Sequence, residues 1–158
     1  MSLHLPSSVP MPPASSVPLS SQYKYFPTFR VSFAVCEELI RKGYEVCLNI
    51  ANCESLTRPN IELIKSAYRA SSRKLKCVYL ADTFGACRPG QITRLKILFE
   101  DLPIAYHSHS HSGRELANTL QAMDAGFVMV DSCLGGLGKN SGNAATERLL
   151  FFKHGSTE

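Results

Sequence analysis

Apolar positions along the chain switch repeatedly between two spacings. Phe33, Cys36, Leu39 and Ile40 recur at helical intervals until Gly43 ends the run. The continuous apolar stretch Tyr44–Ala51 (YEVCLNIA) then reads as a strand. Pro59–Ala70 returns to helical spacing, with the proline suited to a first turn. Cys77–Ala81 predicts a short buried strand followed by a turn through Asp82–Gly90, and Gln91–Glu100 a helix with Ile92, Leu95, Leu98 and Phe99 inward. Ile104–His109 and Phe127–Cys133 predict two further strands, separated by a helix over Arg114–Ala125 and followed by one over Ala144–Lys153.

Strands each followed by a helix, with nearly continuous apolar content, predict a parallel sheet covered by helices. A doubly wound sheet and part of a barrel both fit that alternation. A full eight-unit barrel takes about 250 residues, whereas these 158 residues hold four clear βα units.

The beginning of the chain is different in kind. Residues 1–21 contain seven Ser, five Pro and no Asp, Glu, Lys or Arg. Such a segment buries little, so residues 1–22 are expected to form a disordered leader and residues 23–158 the folded domain. Proline interrupts its apolar runs and no basic residue precedes them, which argues against a signal peptide.

Composition excludes several functions. The net charge of +4 is mild and its Lys and Arg are dispersed, which disfavours nucleic acid and membrane surfaces as partners. No stretch approaches 18 uncharged apolar residues, so no membrane-spanning helix is expected. Cys36, Cys47, Cys53, Cys77, Cys87 and Cys133 show no CxxC spacing and several sit in apolar runs. They read as reduced thiols, which points to a cytoplasmic protein.

Polar residues cluster just after the predicted strands, where α/β proteins place their sites. Asp82-Thr83-Phe84-Gly85 follows the second strand and His107-Ser108-His109-Ser110-His111 the third. Side chains two apart on a strand share a face, so His107 and His109 can reach one ion, although HxH alone equally suits a solvated polar loop. His111 reads as a loop residue because Gly113 ends the strand. GGLGKNSGN, at positions 135–143, has four glycines in nine residues. It is either a flexible connection or a loop whose backbone must approach a ligand closely. Neither a Walker A loop nor a GxGxxG fingerprint is present.

Taken together, DTFGACRPG at 82–90, HSHSHSGRELAN at 107–118 and FVMVDSCLGGLGKNSGNAATE at 127–147 resemble the metal-dependent aldolase, lyase and acyl-transferase superfamily of TIM barrels. Its members include 3-hydroxy-3-methylglutaryl-CoA lyase, 4-hydroxy-2-oxovalerate aldolase and the isopropylmalate and homocitrate synthases. The resemblance runs from about Gly43 to Leu150 and implies the fifth to eighth strands of a (β/α)8 barrel. It implies His107 and His109 as divalent-metal ligands, Asn143 as an additional oxygen ligand, and Asp82 and Thr83 as catalytic residues in the pocket. Asn118 is expected to make a helix-to-loop contact, and Glu147 to favour the first turn of the last helix.

VDSCLGGLG, the short loop without a cysteine-bearing insertion, and GYEVCLNIA look most like 4-hydroxy-2-oxovalerate aldolases. The resemblance thus implies cleavage of a 4-hydroxy-2-oxo acid to pyruvate and an aldehyde. Alternatives are an acyl-CoA-dependent 2-oxo-acid synthase, or a non-catalytic metal-binding or interaction fragment. The implied cofactor is Mn²⁺, with Mg²⁺, Co²⁺ or Zn²⁺ also suited to two imidazoles and oxygen ligands. An aldehyde dehydrogenase is a partner implied by the resemblance.

Two features depart from the family. Ser110 and His111 follow HxH, where an acidic or amide residue is usual. The family's first-strand Asp-Arg-Glu segment has no counterpart, since residues 1–30 contain no Asp or Glu and Arg30 is their only Arg. A half barrel would expose sheet edges and an open apolar interior, so a homodimer or a complementing chain is expected.

Overall fold

The computed structural model describes residues 27–71 and 75–155; the expected leader lies outside them. Five helices alternate with four strands: α1 (Pro27–Arg41), β1 (Cys47–Ile50), α2 (Arg58–Ala70), β2 (Cys77–Asp82), α3 (Pro89–Leu98), β3 (Ile104–Ser108), α4 (Glu115–Asp124), β4 (Met129–Val130) and α5 (Thr146–His154). Short 3₁₀ turns at Cys53–Ser55 and Leu134–Gly136 follow β1 and β4.

Local chemistry sets the helix starts. Thr57 precedes α2, where the Asn60 side-chain oxygen accepts from its backbone N–H at 3.1 Å and Pro59 fills the first turn. The Gln91 side-chain oxygen does the same for Arg88 at 2.9 Å at the start of α3, which opens on Pro89. Each device satisfies an N–H that the helix leaves without a carbonyl.

The strands are all parallel and lie in sequence order β1-β2-β3-β4. A doubly wound sheet reverses its strand order and carries helices on both faces. Here the order never reverses, and one face takes the helices. The register aligns Leu48 with Val78, and Val78 with Ile104, while Leu80 pairs with Tyr106. These residues are buried in one core with Phe33 and Cys36 of α1, Ile61 and Ile64 of α2, Ile92 and Leu95 of α3 and Ala122 of α4. The fold is one arc of a barrel wall with its helices outside.

Val46, Leu48, Val78, Leu80 and Ile104 therefore belong to the helix-facing core and not to the barrel interior. The register places Cys47, Asn49, Cys77, Tyr79, Ala81, Ala105, His107 and Met129 on the opposite face; the small Cys77, Ala81 and Ala105 are buried there, and the other five are not. Among the described residues, β1 and β4 are the two edges of the sheet.

The predicted elements recur with shifted ends. β4 keeps only Met129–Val130 of the expected Phe127–Cys133, because it pairs with β3 alone and the chain then turns into the glycine loop. β3 stops at Ser108, so His109 lies just past the strand and is held by a bridge to Asn143 instead. Among the described residues, no helix is long and apolar enough to cross a membrane. All six cysteines are free thiols.

Candidate metal centre

At the carboxyl end of β3, His107 points to the open face of the sheet and His109 follows two positions later. Their rings meet edge to face with centroids 4.9 Å apart. The two Nε2 atoms face each other at 3.3 Å. Two nitrogens each about 2.0–2.1 Å from one ion, at right or tetrahedral angles, stand about 2.8–3.4 Å apart. The spacing of the pair suits a hydrogen bond between the two rings and, equally, two ligands of one ion.

Across the sheet, Asp131 Oδ1 lies 2.8 Å from His107 Nδ1. That contact puts the imidazole proton on Nδ1 and leaves the Nε2 lone pair free, the usual way a carboxylate orients a metal-binding histidine. The hydrogen bond to Asp131 holds the His107 pKa above its ordinary value. His109 is shifted the opposite way, first by burial and then by the neighbouring imidazoles of His107 and His111. His111 itself is exposed, 6.0 Å from the His109 ring, as its loop position suggested.

The glycine loop folds back on this pair. His109 forms an antiparallel bridge with Asn143, and Ser110 N–H donates to Gly142 O at 3.0 Å. Ser110 Oγ also donates to Ser141 O. The Asn143 amide donates to Leu137 O at 3.1 Å and to Cys133 Sγ at 3.3 Å. Its Oδ1 is left buried with no partner among the described residues, and so is His109 Nδ1. A buried amide oxygen without a donor is costly unless something else satisfies it. Its place beside His109 suits a third, oxygen ligand, and the donor set of two imidazoles and one amide oxygen fits a divalent ion.

The glycines have steric reasons. A Cβ on Gly138 would meet Asn143 Nδ2 at 2.3 Å, and one on Gly142, at φ +88°, would meet Gly136 O at 2.2 Å. Gly85 in the turn after β2 is pressed equally hard, since its Cβ would lie 2.5 Å from His109 O. The loop is thus a close-packed frame for the histidines.

Asp82 and Thr83, expected as catalytic residues, sit at the end of β2 and in the turn that follows it. Asp82 pairs in register with Ser108 and lies on the helix side of the sheet, fully buried. Its carboxylate accepts from Ala86 N–H at 2.8 Å, from Cys87 N–H at 3.2 Å and from the Tyr106 hydroxyl at 3.2 Å. Thr83 Oγ1 accepts from Asn52 N–H at 3.0 Å and donates to Ala81 O at 3.4 Å. Both residues hold the turn that supports the His109 backbone.

Asn118 makes the expected helix-to-loop contact, donating to Cys87 O at 2.9 Å. Glu147, expected at a helix start, also reaches back to accept from Gly135 N–H at 3.0 Å, tying α5 to the loop. The Asp131–His107 pairing was not anticipated from the sequence. Its signal was the polar residue ending an otherwise apolar strand beside the histidine strand.

The model of the HMGL-like family matches residues 29–155. Among curated proteins, a 4-hydroxy-2-oxovalerate aldolase of Chloroflexus aurantiacus is 41% identical over 95 residues, covering 58% of this chain and 28% of that protein. One of Chloroflexus aggregans is 40% identical over 95 residues, with the same coverage of 58% and 28%. The chain thus spans little more than a quarter of these relatives' length. Among solved structures, the HMG-CoA lyase of Bacillus subtilis superposes with a TM-score of 0.71 at 24% identity, over 81% of this chain and 48% of that one. That likeness establishes the partial barrel.

Proposed function

The chain belongs to the HMGL-like family, and on that premise we propose that its metal centre serves aldol cleavage of a 4-hydroxy-2-oxo acid to pyruvate and an aldehyde. The carrying observation is the His107 and His109 Nε2 pair at 3.3 Å beside an unpartnered Asn143 oxygen. The aldolase-named relatives support the choice within the family, which is divalent-metal-dependent in general.

His107, His109 and Asn143 would hold the ion, with Mn²⁺ the preferred metal. When bound, such an ion supplies Lewis-acid polarisation of the 2-oxo acid oxygens and stabilises the charge that develops as the carbon–carbon bond breaks. Asp131 keeps the His107 proton on Nδ1 throughout, so that Nε2 stays a lone-pair donor. Asp82 and Thr83 act as positioning residues, fixing the turn on which Gly85 presses against the His109 backbone. The open face beside His107 is where a small 2-oxo acid would approach.

Pyruvate release from 4-hydroxy-2-oxopentanoate with added Mn²⁺, coupled to lactate dehydrogenase, tests the reading. Acetyl-CoA consumption with a 2-oxo acid and no pyruvate release would assign the synthase reaction instead. Calorimetric Mn²⁺ binding that disappears in the His107→Ala, His109→Ala double variant, with neither activity, would leave a metal-binding module.

A further inference from the structure

A second group of metal-type ligands lies away from the histidines, on the helix side of the sheet. Cys53, in the 3₁₀ turn after β1, and Cys87, before α3, are both buried. Their sulfurs are 3.9 Å apart. Glu54 is next to Cys53, and one ligand atom from each of the three residues lies within 4.8 Å of the others.

We propose that Cys53, Cys87 and Glu54 form a second cation site, for a thiophilic divalent ion of the zinc class. Two thiolates each about 2.3 Å from a tetrahedral ion stand about 3.8 Å apart, which is the separation found. Glu54 supplies the independent observation. Its Oε1 accepts from Phe84 N–H at 3.3 Å, but its Oε2 is buried with no partner among the described residues. A coordinating ion satisfies that oxygen, as the alternative of an empty buried carboxylate oxygen does not.

The three residues line one side of a cleft of about 270 Å³ between α2 and α3. Arg58, Gln91 and Arg94 line it too. The cleft gives a route for the ion and leaves its fourth position to water or a small ligand. Two thiolates and a carboxylate around a divalent ion leave one net negative charge, in a cleft that Arg58 and Arg94 also line. Binding requires each thiol to release its proton to solvent. The sulfur-lined site at Cys53 favours a thiophilic metal more strongly than the imidazole- and oxygen-lined centre at His107 does.

Cobalt(II) added to the reduced 158-residue chain carrying His107→Ala and His109→Ala tests the site. One equivalent should give thiolate-to-cobalt charge-transfer absorption in the near ultraviolet. Cys53→Ser and Cys87→Ser should each abolish it, with folding checked by circular dichroism. Glu54→Gln keeps the bond from Phe84 and the shape of the side chain; it should retain the absorption and weaken cobalt affinity at least tenfold. The site is overturned if the folded, reduced chain gives no such absorption, or if the absorption survives both cysteine substitutions. If the serine variants do not fold, unchanged cobalt affinity in Glu54→Gln overturns it.

Discussion

Asp131, the residue just after β4, holds His107 with its Oδ1 2.8 Å from the imidazole Nδ1. The carboxylate is about half exposed, so the contact adds little to stability on its own. Its effect belongs to the metal centre, because it decides which ring nitrogen carries the proton. Asp131→Ala should weaken Mn²⁺ binding by about 10- to 100-fold while shifting the urea midpoint little. Calorimetry and denaturation on the same preparation separate the two. An unchanged affinity would mean that the tautomer is set by something else.

Asp82→Ala should behave in the opposite sense. It strips the acceptor from two backbone N–H groups and from the Tyr106 hydroxyl, all at a site that is fully buried. The Tyr106 pKa is pushed up, by burial first and then by the Asp82 charge, so that hydroxyl stays a donor. Stranded donors of this kind should lower stability by about 2–4 kcal/mol. Urea denaturation measures the loss. Mn²⁺ affinity should fall only a few-fold in variant that remains folded; a loss of Mn²⁺ binding without a loss of stability would place Asp82 in the site itself.

Gly142 and Gly43 form a matched pair for the glycine loop, with φ of +88° and +89°. Alanine at either position meets the same left-handed backbone cost of roughly 1–2 kcal/mol. Only at Gly142 does a Cβ also collide with a carbonyl, Gly136 O at 2.2 Å, while at Gly43 it meets open space. Gly142→Ala should therefore destabilise more than Gly43→Ala and should also weaken Mn²⁺ binding, because the loop presents Asn143. Equal losses for the two variants would show that the loop has room to move.

The same loop marks what the sequence could and could not convey. β2 and β3 were legible because both of their faces hold buried residues: Val78, Leu80, Ile104 and Tyr106 toward the helices, and the small Cys77, Ala81 and Ala105 on the other side, which makes CVYLA and IAY continuous apolar runs. β4 was overestimated for the complementary reason: FVMV is apolar enough for a strand, but an edge with one neighbour lets the chain leave the ladder early. The histidines were visible as an alternating pattern. Asp82 could not be assigned by type alone, since an aspartate after a strand suits a pocket or a turn, and only the register shows it pairing with Ser108 on the helix side. The Cys53–Glu54–Cys87 cluster had no spacing to reveal it, because 34 residues separate the two cysteines.

Asp101 provides a pH-dependent tie between α2 and the turn after α3. Its carboxylate pairs with Lys65 at 2.9 Å and with Arg69. Burial raises its pKa, but the hydrogen bonds from Lys65 and Arg69 outweigh that and hold it below the ordinary carboxylate value. A lowered folded-state pKa means stability that is present above the unfolded value of about 3.9 and lost as pH falls through the folded one. Asp101→Asn should cost about 1 kcal/mol or less at neutral pH, since the pair is partly solvated. That difference from the wild type should vanish in urea titrations near about pH 2. A difference that persists in acid would trace to packing and not to the ion pairs.

The open face of the sheet bears on assembly. Among the described residues, Cys47, Tyr79 and Met129 lie on it without helices to cover them, and β1 and β4 leave both edges unpaired. α5 adds exposed Leu150, Phe151 and Phe152. In a complete barrel such a face is filled by layered side chains, each worth about 1.5–3 kcal/mol when fully buried. A second copy of this arc presents the same face and the same edges, so the 17.4 kDa chain should associate into a homodimer, or aggregate where dimerisation fails. Light scattering on the purified chain gives the mass directly. Tyr79→Asp and Met129→Asp should disrupt the dimer, whereas Ile97→Asp, already 65% exposed on the outer surface of α3, should not. A monomer that melts cooperatively would show that the open face is stable in water, and it would remove the need for a second arc.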